Sequence, residues 1–377
     1  MSRHFDDAVV GAGILGLAHA YHLAKRGRKV VVFERNLKVC GASVRNFGML
    51  WPIGQPVGRM RDMALRSLDT WSSILRSSGL WHERTGSLHL AYREDEAQVL
   101  QEFVRSSDGI TSDYELLSRQ KVLERSEAVR SEGLIIGMWS STEICIDPRE
   151  VLEKLPDWMN QEYGVQFEFG STVTHYESPH LTARGGEWQA NHLYVCCGDD
   201  FSTLFPEILQ EGRMRKCKLQ MMRSRPLKET SRLGPMLAGG LTLRWYPAFQ
   251  DCPSLPALKK RIARELPEYD DFGIHVMVCQ NGKRELTIGD SHEYGDPSEP
   301  FDKGEIDELI LGYLNTFLRA PDLRVASHWH GTYAKHLTEP YFLSHAAPDV
   351  TLVTGIGGAG MTLSFGLADQ VVSEILE

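Results

Sequence analysis

No uninterrupted apolar stretch in the 377 residues approaches the length of about 18 that a membrane-spanning helix needs, so no bilayer span is expected. Paired cysteines are missing too. The seven cysteines (Cys40, Cys145, Cys196, Cys197, Cys217, Cys252 and Cys279) are odd in number and contain no C-x-x-C. That pattern argues against a disulfide framework and against a zinc site, and fits a reducing cytoplasm. No secretory leader is expected, because the first apolar run, Ala8 to Leu17, follows Asp6 and Asp7 and is broken by glycines. Positive charge is in short supply: the formal net charge is −9. Such a surface repels a phosphate backbone, so no nucleic-acid partner is expected, although a locally basic pocket remains compatible with it. There is no internal repeat, low-complexity tract or long flexible linker. The chain is long enough for two or three compact units with a sizeable core.

What is there begins with a βαβ unit. Ala8-Val9-Val10 is a short apolar run suited to a buried parallel strand. Ile14 to Arg26 has helical spacing, with Leu17, Ala20, Tyr21 and Ala24 on one side and Gly27 as its stop. Lys29 to Phe33 is a β-branched strand that ends at Glu34. Further helices are expected near Gly58 to Leu75, Asp95 to Arg105, Arg119 to Arg125, Glu150 to Tyr163 and Glu305 to Leu318. Strands are expected at 86–91, 165–169, 173–176, 192–196 and 350–354, with a strand-rich stretch from Lys216 to Ile288.

The turn between the first strand and helix reads Gly11-Ala12-Gly13-Ile14-Leu15-Gly16. A G-x-G-x-x-G string alone is weak evidence, but here a strand precedes it, a helix follows it and an acid ends the next strand. Gly11 permits the tight turn, Gly13 lets a diphosphate approach the backbone, and Gly16 allows helix to pack on sheet. The helix N-terminus at Ile14 offers free N–H groups to phosphates. Glu34 is placed to accept adenosine ribose hydroxyls, with Arg35 beside it. This unit does not separate FAD from NAD. A second glycine-rich turn, Gly355 to Gly360, again joins a strand to a helix, and that helix, from Met361 and Thr362, could point its N-terminus at a flavin. The Ser43 to Met49 loop adds Arg45, Asn46, Phe47, Gly48 and backbone amides near the diphosphate and ring. Both features favour FAD.

These strings, together with Ser43-Val44-Arg45-Asn46-Phe47-Gly48, Tyr194-Val195-Cys196-Cys197-Gly198 and Thr354 to Phe365, occur in an order that resembles the superfamily of D-amino-acid oxidase, glycine oxidase and sarcosine oxidase. The resemblance covers essentially the whole chain. The stretches Arg45 to Pro56, Cys217 to Met222 and Ile288 to Gly295 resemble the branch associated with phosphonate-degradation genes. The resemblance implies an α/β fold, α+β overall: a Rossmann-like FAD-binding domain (1–80, 142–215 and 326–377) interleaved with a sheet-rich substrate domain (81–141 and 216–325). It implies that Val173, Cys197 and Gly198 approach the adenosine half, that Gly357, Gly358 and Gly360 approach the ring, and that Leu241 to Phe249 and Gly273 to Val278 belong to a sheet over the flavin face.

Two departures shape the expected chemistry. Carboxylate-binding relatives carry an arginine after a Trp-x-Gly string, whereas this chain reads Trp329-His330-Gly331-Thr332-Tyr333-Ala334-Lys335-His336. The flavin-linking cysteine of sarcosine oxidases is also missing from this region, so the FAD is expected to be non-covalent, and their oxygen-activating lysine aligns near Thr287. The implied reaction is oxidation of a C–N bond of a small amine, with hydride passing to flavin N5 and the imine hydrolysing to an aldehyde. The electron acceptor is oxygen or another oxidant. No general base is assigned. The expected substrate is 2-aminoethylphosphonate or its N-methyl form. Glycine, sarcosine or a D-amino acid is the nearest rival, and a non-catalytic FAD-binding subunit or an NAD-dependent dehydrogenase the more distant ones. A dianionic head would call on Arg59, Arg61, His330, Lys335 and His336; each of these is also readable as a solvated surface charge. Trp245, Tyr246, His275 and Met277 are candidates for the flavin face, and equally for ordinary core. His328 and His330 share a strand face without an acidic or cysteine partner nearby in sequence, so no metal is expected.

Overall fold

The computed structural model describes residues 4–107, 110–295 and 299–377. The chain folds as a mixed α/β structure around two large sheets. In the first, the strands Val350–Thr354, Gly186–Val195, His4–Val10, Val30–Glu34 and Gln166–Phe169 lie side by side and parallel. Apolar β-branched runs form its centre, as expected where both faces are covered. The next strand in sequence, Val30–Glu34, and the long-range partner, Gly186–Val195, flank His4–Val10 on opposite sides. That makes the end of the first strand a topological switch point, where open parallel sheets leave a crevice for ligands.

Three helices cover one face of this sheet. Ile14–Lys25 and Arg59–Ser78 both pack on the C-terminal helix Gly360–Leu376. Tyr21, Trp71 and Phe365 meet edge to face at their centre, with Trp71 and Phe365 only 4.8 Å apart between ring centroids. The Trp71 indole N–H donates to the Met361 carbonyl (2.8 Å), so the start of the C-terminal helix is pinned from below. At its far end Arg26 reaches Asp369 and Ser373.

The second sheet has nine strands. Met214–Ser224 is its longest-paired member, running antiparallel to Val325–His336 from Met214↔His336 to Ser224↔Val325. On its other edge it pairs with Leu286–Gly289 and Glu293–Gly295. The order continues through Met277–Gln280, Met236–Ala238, Ser87–Ala91, Ile136–Ser140 and Tyr114–Ser118. The expected strand over Leu241 to Phe249 is replaced by two 3-10 turns, Gly240–Arg244 and Pro247–Phe249. Pro247 has no N–H for a ladder, and buried Arg244 donates to the carbonyls of Tyr269 and Ile274 (2.9 and 3.0 Å), which folds the segment back. Residues 273–276 extend the neighbouring strand through the reciprocal backbone pair of His275 and Asp290 (3.1 and 2.8 Å) and through the Gly239 N–H on the Val276 carbonyl (3.0 Å). Among the described residues no helix is long and apolar enough to cross a membrane.

Trp71 fixes where the C-terminal helix begins. Replacing it with alanine is expected to cost about 3–5 kcal/mol of stability, read as a lowered urea midpoint; Trp71→Phe, which loses the indole bond but keeps most of the bulk, is expected to cost about a third of that.

Candidate FAD and substrate site

The three parallel strand ends are locked in register. The Gly11 N–H donates to the Phe33 carbonyl (2.7 Å) and the Cys196 N–H to the Val10 carbonyl (2.9 Å). The glycine turn, Glu34 and the Cys196–Gly198 segment therefore emerge together. The Thr354 hydroxyl donates to the Gly198 carbonyl (2.6 Å), which draws the second glycine turn to the same edge. Sterics explain the glycines. A Cβ on Gly16 would lie 1.8 Å from the Gly11 carbonyl oxygen, and one on Gly11, whose φ is +98°, would lie 2.4 Å from the Cys196 carbonyl oxygen.

A cavity of about 750 Å³ runs from this edge to the second sheet. At one end Glu34 is nearly buried: its Oε2 accepts from the Ala12 N–H (3.0 Å) and its Oε1 from the backbone and side-chain N–H groups of Asn36 (3.0 and 2.9 Å). Val173 lines the same end, joined to the strand through the Ser171 N–H on the Glu34 carbonyl (2.9 Å). Arg35 pairs with Asp200 (2.8 Å) across the mouth beside Cys197 and Gly198. Further in, the Ile14 N–H at the helix start meets the Ser43 hydroxyl (3.0 Å). The Ser43–Met49 loop is tied to itself by Asn46, which accepts from the Gly48 N–H (2.7 Å), and to the second sheet by Arg45, which donates to the His330 carbonyl (2.8 Å). Opposite this loop stand Gly357, Gly358, Gly360, Met361 and Thr362, the last accepting from the Trp51 N–H (2.9 Å).

The far end of the cavity is aromatic and polar. Trp245, Tyr246, Met277 and Tyr333 line it, with His275, Asp290, His292, Tyr294 and Lys335. The Lys335 ammonium lies 3.5 Å from the Tyr294 hydroxyl, and burial together with nearby Arg215 lowers its pKa below the ordinary lysine value. Arg215 itself stacks on the Tyr294 ring at 3.8 Å.

Gly11, Gly13, Ile14, Glu34, Arg35, Ser43, Arg45, Asn46, Phe47 and Met49 thus share one cavity, whereas Gly16 and Gly48 support its wall from behind. Of the substrate candidates, Trp245, Tyr246, His275, Tyr333, Lys335 and His336 line it. His336 is occupied structurally: its Nδ1 accepts from the Glu339 N–H (2.8 Å) and holds the following turn. Three candidates go elsewhere. Arg59 is exposed and donates to the Tyr341 hydroxyl (2.6 Å). Arg61 is buried against Tyr114 (2.9 Å) and Asp113, partners supplied by a distant strand. His330 faces Asp302 (2.7 Å), because residues 328 and 330 point to the side of their strand opposite Tyr333 and Lys335. His328 likewise meets an acid, Asp307 (2.7 Å), contrary to the expectation of no acidic partner. Asp290, His292 and Tyr294 were not singled out, although polar residues at period two in the Ile288 to Gly295 string are the signal of one strand face.

The FAD-dependent oxidoreductase (DAO) family matches residues 6–374, nearly the whole chain. The chain belongs to that family. It is 22% identical over 343 residues to the glycine oxidase of Bacillus licheniformis, covering 88% of this chain and 81% of that protein. The solved glycine oxidase of Geobacillus kaustophilus superposes with a TM-score of 0.80 at 17% identity, over 99% of this chain and 94% of that one. The L-α-glycerophosphate oxidase of Mycoplasma pneumoniae, solved with FAD bound, gives a TM-score of 0.76 at 16% identity, over 99% and 95% of the two chains. FAD is the cofactor of this family, and the residues fit it: backbone close enough to admit a diphosphate at the helix start, a buried carboxylate for a ribose, and two further glycine-rich segments facing each other across the cavity.

Glu34→Ala strips the Ala12 and Asn36 amides of their acceptor. The FAD dissociation constant, followed by flavin fluorescence on dilution, is expected to rise about ten- to hundred-fold.

Proposed function

We propose that this protein oxidises the C–N bond of a small amine bearing an anionic group. FAD, when bound, supplies the two-electron acceptor. The chain's own residues orient the amine, exclude water and hold the anionic end; the imine then hydrolyses to an aldehyde and an amine. The observation that carries this reading is the continuity of one cavity from the Glu34 end, past the two facing glycine-rich segments, into an aromatic end that holds Lys335 and three buried titratable groups.

The head group is the finer part. The segment in which carboxylate-binding relatives carry arginine, Trp329 to His336, has none here, and within it Lys335 stands beside Tyr294. An ammonium with neighbouring phenol hydroxyls suits a compact, multiply charged head better than it suits the flat fork of a carboxylate. This favours 2-aminoethylphosphonate or its N-methyl form. Glycine or sarcosine is the second reading, favoured by the glycine oxidases among the relatives. Either oxygen or another oxidant would take the electrons onward. The seven cysteines are unpaired, which supports a cytoplasmic setting, and the acidic net charge argues against a nucleic-acid partner.

The test is anaerobic bleaching of the yellow holoenzyme by 2-aminoethylphosphonate, its N-methyl form, glycine, sarcosine and D-alanine. The phosphonates are expected to reduce the flavin at the lowest concentrations; bleaching by the carboxylates alone would sink the phosphonate assignment, and bleaching by none would favour a non-catalytic subunit. Lys335→Ala is expected to raise KM for the preferred amine about tenfold or more, with a smaller change in kcat, as loss of a head-group contact does.

A further inference from the structure

At the aromatic end, three side chains converge from two segments that flank strands, 273–276 and 290–292. His275 and Asp290 face each other through their reciprocal backbone bonds, and His292 follows Asp290 on the same face. His275 Nε2 lies 3.2 Å from Asp290 Oδ1, and His292 Nε2 lies 3.9 Å from Oδ2. The two imidazoles stack on each other at 4.9 Å, with Trp245 stacked on His292 at 5.4 Å and Tyr246 edge-on to His275 at 5.8 Å. His292 Nδ1 donates to the Gly273 carbonyl (3.1 Å), which leaves Nε2 as the nitrogen with the free lone pair turned to the carboxylate.

The cluster is electrostatically incomplete. Asp290 Oδ1 and His275 Nδ1 are buried without a hydrogen-bond partner, and no lysine or arginine among the described residues pairs with Asp290. A buried carboxylate is stable only when something cationic or a donor meets it. Among the described residues only the two imidazoles approach it, neither of them held charged, and the open side is the cavity.

We propose that Asp290, held between His275 and His292, receives the ammonium group of the substrate and takes a proton from it. This rests on the reading of the protein as an amine oxidoreductase. The step is a proton transfer: an N–H bond of the ammonium breaks, an O–H bond forms on the Asp290 carboxylate, and the electron pair stays on nitrogen. A neutral amine results, the form in which the adjacent C–H bond can be oxidised. No redox change is involved.

The surroundings assign the proton to the carboxylate. Burial pushes Asp290 well above the usual carboxylate range, so a proton is held there more firmly than on an exposed carboxylate. Burial pushes His292 down to about 4 and holds His275 well below the ordinary imidazole range, and Arg244 opposes protonation of both. Lys335 acts the same way on His292. The remaining groups that feel Asp290 are Tyr246, Tyr294, Tyr333 and the Cys217 thiol, all pushed up and neutral near pH 7.

The experiment follows the rate of anaerobic flavin reduction against pH, using whichever amine of the panel bleaches the wild-type holoenzyme. D290N is expected to lose about 10²- to 10⁴-fold near pH 7. The deficit should shrink as pH rises toward the pKa of the free amine, because solvent then supplies the neutral form, and D290E should restore part of the rate at pH 7. A loss equal at all pH values, or a rate near wild type, overturns the proposal. Should D290N not retain FAD, calorimetry on wild-type enzyme reduced beforehand decides: binding of the same amine is expected to show no net proton release when two buffers of different ionisation heat are compared, and release of a proton to the buffer overturns it. Stoichiometric metal in the purified protein, lost in D290N, also overturns it by giving the cluster another occupant. If no amine of the panel bleaches the flavin, the functional reading falls first and takes this inference with it; bleaching with an unaltered D290N removes only the inference.

Discussion

The site rests on one steric constraint, the approach of Gly16 to the Gly11 carbonyl. With no side chain on either residue, the first helix starts directly over the end of the first strand. Its first N–H groups then face the crevice between diverging strand connections, where the Ser43 hydroxyl meets the Ile14 N–H and the Glu34 carboxylate ties the turn through Ala12. Other segments of the cavity are brought to this point by identifiable bonds: Cys196 through Val10, the second glycine turn through Thr354, and the Ser43–Met49 loop through the Ser43 hydroxyl on the Ile14 N–H.

How much of this was legible depended on whether a residue's role is local. Gly11, Gly13, Glu34 and Gly357 could be read from sequence because their signals are local: a close backbone approach at Gly11, a positive φ at Gly11 and Gly357, and an acid at the end of the neighbouring strand. Arg59 and Arg61 could not. On a helix, arginine is equally suited to solvent, to an ion pair or to a substrate; what decides is the partner, and Asp113 and Tyr114 arrive from a remote strand. His330 was a matter of parity. Tyr333 and Lys335 share one strand face and His330 takes the other, a distinction available only once the segment is known to be one continuous strand. The 3-10 turns around Trp245 escaped for the opposite reason: the segment reads as apolar and aromatic, yet Arg244 and Pro247 override that pattern.

Electrostatics in this molecule run against its bulk charge. The surface is acidic overall, yet the far end of the cavity is set by Lys335, Arg244 and Arg215, with neutral imidazoles and phenols between them. Burial lowers the pKa of Lys335 and of Arg244, the latter to about 10, and raises that of Asp290, so each charge is held at a cost that an occupant of opposite charge would offset.

The strand Val325–His336 has a mechanical meaning as well. Its whole length is laced to Met214–Ser224, and its last residues bond directly into the second glycine turn, through the His336 N–H on the Gly355 carbonyl (2.9 Å) and a bridge from Lys335 to Ile356. Tyr333 and Lys335 at the aromatic end and the glycine turn from Gly355 are thus carried by a single beam. A strand shared in this way couples the position of the second glycine turn to that of Met214–Ser224, so a shift of one is felt by the other.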